Sequence, residues 1–228
     1  GSFGDGTFYL HRGVDFDNNP VGTPLYAVAN GTIIVAGKDD KDVYGFEPKF
    51  YGQLMVIALE RQWQGRPVYA LYGHVSKIDV KVGDVVREGQ RIGAVGEEGT
   101  AAVGPHLHLE VRLDVNDYDH TRNPALWLKP PAGTGTVVGR LLNARNEPIP
   151  RALVIFRRAS KPDAPYRETT TYPANRPINP DDDWQENFVM AELEAGPMLV
   201  SAYGGGRFYN AEITVVAGKT TFLILKPN

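Results

Sequence analysis

Apolar residues fall in short runs along this chain, broken by glycine, proline and polar turn formers: GTIIVAG (31–37), QLMVIALE (53–60), PVYALYG (67–73), RIGAVG (91–96) and HLHLEVRL (106–113). Runs of four to eight residues rich in β-branched and aromatic side chains predict strands. No segment repeats its apolar positions at the helical period over three turns, so only short helical pieces are expected, one of them near residues 124–128. In HLHLEVRL the alternation of a strand sends His106, His108, Glu110 and Arg112 to one face and Leu107, Leu109 and Val111 into the core.

The punctuation also divides the chain. KPPAGTG (129–135) carries two prolines and two glycines, which suggests a domain of residues 1–132 followed by one of residues 133–228. The second stretch again reads as short apolar runs between turns and predicts a small antiparallel β-sandwich. Within it, residues 161–183, rich in proline and aspartate, read as a long loop rather than a strand. In the first stretch, KDDKDVYGFEPKFYG (38–52) is the longest polar and aromatic interruption and a candidate groove wall. Its Tyr44, Phe46, Phe50 and Tyr51 serve either to contact a peptide or to pin the loop to its own sheet. A second candidate wall, GEEGTAAVG (96–104), places Glu97 and Glu98 directly before the histidine strand.

Four of the five histidines are spaced as a metal site needs. His11 stands four residues before Asp15 in HRGVD, His74 lies in YGHV, and His106 and His108 share a strand face. A fully extended HRGVD would part its ends by roughly 13 Å, too far for one ion, so the chain must bend. Gly13 permits that bend, and the segment reads as a strand end entering a turn. Two histidines and a carboxylate would hold a hydrolytic zinc and leave a position for water. His11, Asp15 and either His106 or His108 meet that need, and spacing does not choose between the last two. Glu110, on the same face, is either a partner that orients a ligand or a solvated charge. His120, in the polar NDYDHTRNP loop, is left out of the site.

Composition narrows the setting. With no cysteine, neither thiolate ligands nor disulfides are available, and a metal must be held by nitrogen and oxygen. A net charge of −3 gives no basis for nucleic-acid binding, and no apolar run is long enough for a membrane span. GSFGDG runs almost at once into the first histidine motif, which reads as a trimmed start: Gly1 and Ser2 left by cloning, an upstream signal or anchor removed.

HRGVDF, GTPLYAVANGTI, YGHVSKIDVKVGDVVREGQRIGAVG, GPHLHLEVR and RNPALWL, in that order, resemble the lysostaphin/LytM-type zinc metallopeptidases over about residues 1–130. The resemblance implies a mainly β fold with an antiparallel metallopeptidase sheet, and one zinc ion held by His11, Asp15 and His108. It further implies that His74 and His106 do the acid–base chemistry, one helping to deprotonate the attacking water, the other stabilising the oxyanion or passing a proton to the leaving amine. No HExxH helix supplies a glutamate base, so a histidine pair in its place is chemically coherent. Peptidoglycan peptide is the implied substrate, and an extracellular or cell-envelope monomer is expected. The second stretch resembles carboxypeptidase-regulatory or transthyretin-like domains in its GxV…PIPxA pattern and closing AGKTTFLILKP, from which no activity carries over. The contrasting reading is a non-catalytic regulator on the same fold. Loss of zinc ligands would mark that reading, and none of the five positions is substituted here.

Overall fold

A computed structural model describes residues 2–3, 7–8, 11–174 and 178–227. Strands make up nearly all of its regular structure, joined by two single-turn 3-10 helices, Tyr118–His120 and Pro124–Leu126. The second of these lies where a short helical piece is expected. Among the described residues no helix is long and apolar enough to cross a membrane. The chain divides into two compact units, Arg12–Pro124 and Ala125–Asn228, with the short stretch before Arg12 grouped with the second. KPPAGTG therefore falls inside the second unit, because Ala125 and Leu126 already pack against its Val138, Tyr172, Ile178 and Val189.

The first unit is built on a seven-stranded antiparallel sheet in the order Thr121–Arg122, Leu107–Leu113, Val68–Gly73, Gln53–Leu59, Gly31–Lys38 and Val85–Val86; Val14–Phe16 pairs with the start of Leu107–Leu113. A three-stranded sheet, Pro24–Tyr26, Arg91–Val95 and Val75–Ile78, accompanies it. Gln53–Leu59 buries Leu54, Met55, Val56 and Ile57 in succession. That continuous run marks a central strand covered on both faces. On one face Leu54 and Val56 cluster with Leu71 and Tyr51; on the other the Met55 side chain reaches Gly93 of the smaller sheet.

The loop between Lys38 and Gln53 folds back over the first of these faces. Tyr51 is fully buried, Tyr44 and Phe50 pack beside it, and only Phe46 of the four aromatics is exposed. Three of the four therefore pin the loop rather than line an open wall. The loop is closed at its base by Asp39, whose buried carboxylate accepts the Tyr51 amide at 2.7 Å while its own amide donates to the Gly52 carbonyl at 3.1 Å.

In the second unit, one sheet orders Phe188–Glu194, Thr134–Leu141 and Thr220–Leu225; the other orders Arg167–Thr170, Leu153–Arg158, Gly196–Gly204 and Arg207–Val215. Val137, Leu141 and Phe188 of the first join Val154, Phe156 and Val200 of the second in one buried cluster. The sheets of this unit are antiparallel as expected but for one pair, and one expectation is corrected. Thr134–Leu141 and Thr220–Leu225 run parallel, so this unit is not wholly antiparallel. The 161–183 stretch contains the strand Arg167–Thr170, which among the described residues is an edge strand paired with Leu153–Arg158 alone. Its polar RETT sequence carries no apolar alternation, since an edge strand need not bury one. Residues 175–177 of that stretch lie outside the described residues.

Glu186 is buried here, accepting Tyr172 Oη at 3.1 Å and the Asp181 amide at 2.8 Å, and burial pushes its carboxyl up to about 7. A carboxyl whose folded value is raised binds its proton more tightly in the folded state. It therefore costs nothing below its ordinary value of 4.5 and progressively lowers stability as pH rises through 7, by on the order of 3 kcal/mol at full ionisation. Glu186→Gln is expected to melt like the wild type below pH 4 and above it at pH 8; equal melting temperatures at pH 8 would contradict this.

Candidate metal centre

The centre assembles where Val14–Phe16 meets Leu107–Leu113. The register sets Asp15 directly opposite His108, and Gly73 opposite His108 on the other side. The HRGVD segment bends at Gly13 and then enters the strand Val14–Phe16, which leads on to a bend at Asn18 and a turn at Val21–Gly22, so the expected strand and turn are present and the bend that draws the ends of HRGVD together lies before the strand. That order comes from the non-local pairing with residues 107–109, which HRGVD alone does not announce. The Arg12 side chain anchors the bend: its Nη1 donates to the Tyr118 carbonyl at 2.6 Å and to Asp119 Oδ1 at 2.8 Å, and its guanidinium lies 4.2 Å from the Tyr118 ring centre.

His11, Asp15 and His108 each offer a ligand atom, and the three atoms all lie within 4.8 Å of one another. Two imidazole nitrogens and a carboxylate oxygen at that separation fit zinc, whose bonds to such donors run about 2.0 to 2.2 Å. Gly13 makes the approach possible. A Cβ built there would stand 2.5 Å from His108 Cε1 and 2.6 Å from Nε2. Gly13→Ala is thus expected to displace the His108 ring and lower zinc affinity at least tenfold in a folded protein, measured by competition with a chromogenic chelator. Unchanged affinity would mean that the ring has room to spare.

His106 and His74 complete the cluster. Their ring centres are 4.7 Å apart, and that of His74 lies 5.7 Å from His108. Both are buried, with His106 Nε2 3.7 Å from Asp15 Oδ1. His74 Nδ1 meets the Glu98 carbonyl at 2.6 Å, and His106 Nδ1 meets the Gly104 carbonyl at 3.0 Å. A carbonyl oxygen only accepts, so each Nδ1 carries a hydrogen, and in the neutral form of either ring Nε2 keeps its lone pair. Burial, opposed by the Glu98 carbonyl and assisted by the neighbouring His108 and His106, lowers His74 to about 4, so it is neutral at pH 7. Its backbone is left-handed, φ 59°, a conformation uncommon outside glycine and held here by the His74 amide donating to the Tyr51 carbonyl at 3.1 Å.

Behind His108 lies a buried polar set. His108 Nε2 donates to Glu110 Oε1 at 3.0 Å while its Nδ1 faces Asp15 Oδ1 at 2.9 Å. Burial opposes charging His108, but the hydrogen bonds and charges of Asp15 and Glu110 outweigh it and push the ring up to about 9. Burial likewise opposes charging Glu110, yet Arg112 and His108 hold it at about 2. Glu110 is fully buried, which removes the solvated reading left open by the sequence. Arg112 and Tyr51 belong to this set and were not singled out for it. Arg112 could have been found from its place on the His108 face; nothing in the local sequence announces Tyr51. His120 stands apart in the Tyr118–His120 turn, and the Glu97 and Glu98 side chains are exposed, with Glu98 Oε1 accepting Gln53 Nε2 at 3.3 Å.

Residues 9–121 match Peptidase family M23. Lysostaphin of Staphylococcus staphylolyticus is 35% identical over 137 residues, 60% of this chain and 25% of that protein. Peptidoglycan DD-endopeptidase ShyB of Vibrio cholerae is 36% identical over 101 residues, 44% of this chain and 20% of that protein. Among solved structures, the catalytic domain of lysostaphin from Staphylococcus simulans aligns at 31% identity with a TM-score of 0.44, covering 52% of this chain and 78% of that one. The chain spans about a quarter or less of the length of these curated relatives.

Proposed function

We propose that this chain, whose residues 9–121 match peptidase family M23, is a zinc-dependent endopeptidase acting on the peptide part of peptidoglycan. The observation that carries this reading is the convergence of His11, Asp15 and His108 on one point, with two further histidines presenting Nε2 lone pairs beside it. His11, Asp15 and His108 hold one zinc ion, which when bound supplies Lewis acidity toward the scissile carbonyl and the attacking water.

The rest of the chemistry falls to the chain. His106, whose Nε2 lies 3.7 Å from Asp15 Oδ1, accepts the proton of the attacking water at Nε2, its Nδ1 fixed on the Gly104 carbonyl. Neutral His74 lacks the proton needed to act as an acid at the outset, but its low basicity lets it release quickly any proton it receives. Once Nε2 has taken up a proton it serves to steady the oxyanion and to pass that proton to the departing amine, with the Glu98 carbonyl holding its ring. Burial of both rings keeps bulk water from competing for these protons. The substrate class follows from the relatives, of which one is a peptidoglycan DD-endopeptidase by name. The place of action is then the cell envelope or beyond it. The second unit is read as a carboxypeptidase-regulatory-like module that spaces or anchors the peptidase.

Purified peptidoglycan should yield new amino groups and new carboxyls in equal number, in a reaction stopped by chelator, and product masses would name the bond. Bound zinc with no release from walls of several cross-link types would favour the regulator reading instead.

A further inference from the structure

We propose that Glu110 is a positioning residue for the metal centre: clamped by Arg112 and Tyr51, its carboxylate fixes the ring orientation and tautomer of His108. The inference rests on the zinc reading above and concerns residues outside the ligand set.

Both carboxylate oxygens are fully engaged. Oε1 accepts His108 Nε2 at 3.0 Å and the Tyr51 hydroxyl; Oε2 accepts Arg112 Nε at 2.9 Å and lies 2.8 Å from Nη2. Arg112 is itself locked, with Nη1 donating to Asn116 Oδ1 at 3.1 Å and Nη2 to the Tyr44 carbonyl at 2.7 Å. The side chains of Glu110 and Arg112 are 0% exposed. A carboxylate fixed at both oxygens by donors cannot turn, and an ionised carboxylate only accepts. The nitrogen facing it must therefore be Nε2–H, so the nitrogen left to give up its hydrogen and bind zinc is Nδ1, which faces Asp15 Oδ1 at 2.9 Å. A buried ion pair is weak evidence for stability in its own right, so its placement one hydrogen bond behind a ligand calls for another explanation.

Tyr51 adds a connection. It comes from the loop after Lys38, its amide is held by buried Asp39, and its ring centre lies 5.5 Å from that of His108. The loop therefore reaches the ligand through two consecutive contacts, Tyr51 to Glu110 and Glu110 to His108.

Glu110→Gln separates positioning from packing. The amide has one accepting and one donating end, and Arg112 presents only donors. The glutamine must therefore turn its oxygen to Arg112 and its NH2 to His108, which forces the hydrogen onto Nδ1, the atom meant for zinc. Zinc affinity of the folded, metal-stripped protein, measured by competition with a chromogenic chelator, is expected to fall about 10- to 100-fold. Adding Arg112→Met frees the glutamine oxygen to face Nε2–H and should restore much of the loss, a rescue that a packing role would not give. Should the single variant fail to fold, 15N imidazole spectra of the zinc-loaded wild type serve instead, with His108 expected to show a protonated Nε2 and a metal-bound Nδ1. Wild-type-like affinity in folded Glu110→Gln, or a metal-bound Nε2, overturns the proposal. A wild type that binds no zinc would instead defeat the metal reading on which it rests.

Discussion

His108→Ala is expected to remove zinc binding and hydrolysis together. One of three ligand atoms is lost, and the remaining pair, His11 and Asp15, leaves an open two-donor site. The same change strips Glu110 of one hydrogen-bond donor while leaving Tyr51 and Arg112 to hold and neutralise it, so the unit should still fold. Metal content by mass spectrometry on a protein with wild-type circular dichroism would check this. A variant that still retained one zinc per chain would move the ligand assignment to His106.

His106→Ala and His74→Asn should behave in the opposite way, keeping zinc and losing turnover by about 10²- to 10⁴-fold, the usual worth of positioned acid–base groups. Neither belongs to the three-atom cluster, and each ring is tied to a carbonyl by Nδ1. Asparagine is chosen at position 74 because the backbone there is left-handed, a conformation asparagine tolerates better than most residues. Its loss of activity would then reflect the missing imidazole rather than a displaced turn. The expected signature is a fall in kcat with zinc stoichiometry unchanged; loss of zinc from the His106 variant would overturn this division of roles.

Much of this centre is visible in the sequence because strand alternation is a local property. HLHLEVRL declares its two faces without reference to the rest of the chain, and the common face of His106, His108, Glu110 and Arg112 follows from it; that this face is buried too depends on what packs over it. The strands of the first sheet are equally plain where apolar runs mark them. What could not be read depends on partners distant in sequence. Asp15 faces His108 because Val14–Phe16 pairs with residues 107–109, and HRGVD alone suggests only that a bend exists. The alternatives His106 and His108 have the same residue type and the same face; only their cross-strand neighbours distinguish them. Tyr51 reads as either a peptide contact or a pin for its loop, and its position 59 residues before Glu110 gives no sign of their contact. The parallel pairing of Thr134–Leu141 with Thr220–Leu225 is likewise a matter of chain path, which apolar alternation does not encode.

The central claim is that zinc at His11, Asp15 and His108 makes this chain a peptidase. Its most direct test is to strip the protein stepwise with a chelator and measure, on each sample, zinc by mass spectrometry and amine release from purified peptidoglycan. The account predicts one zinc per chain at the outset, release falling in proportion to zinc, and recovery when zinc is returned. Undiminished release from fully metal-free protein would contradict it.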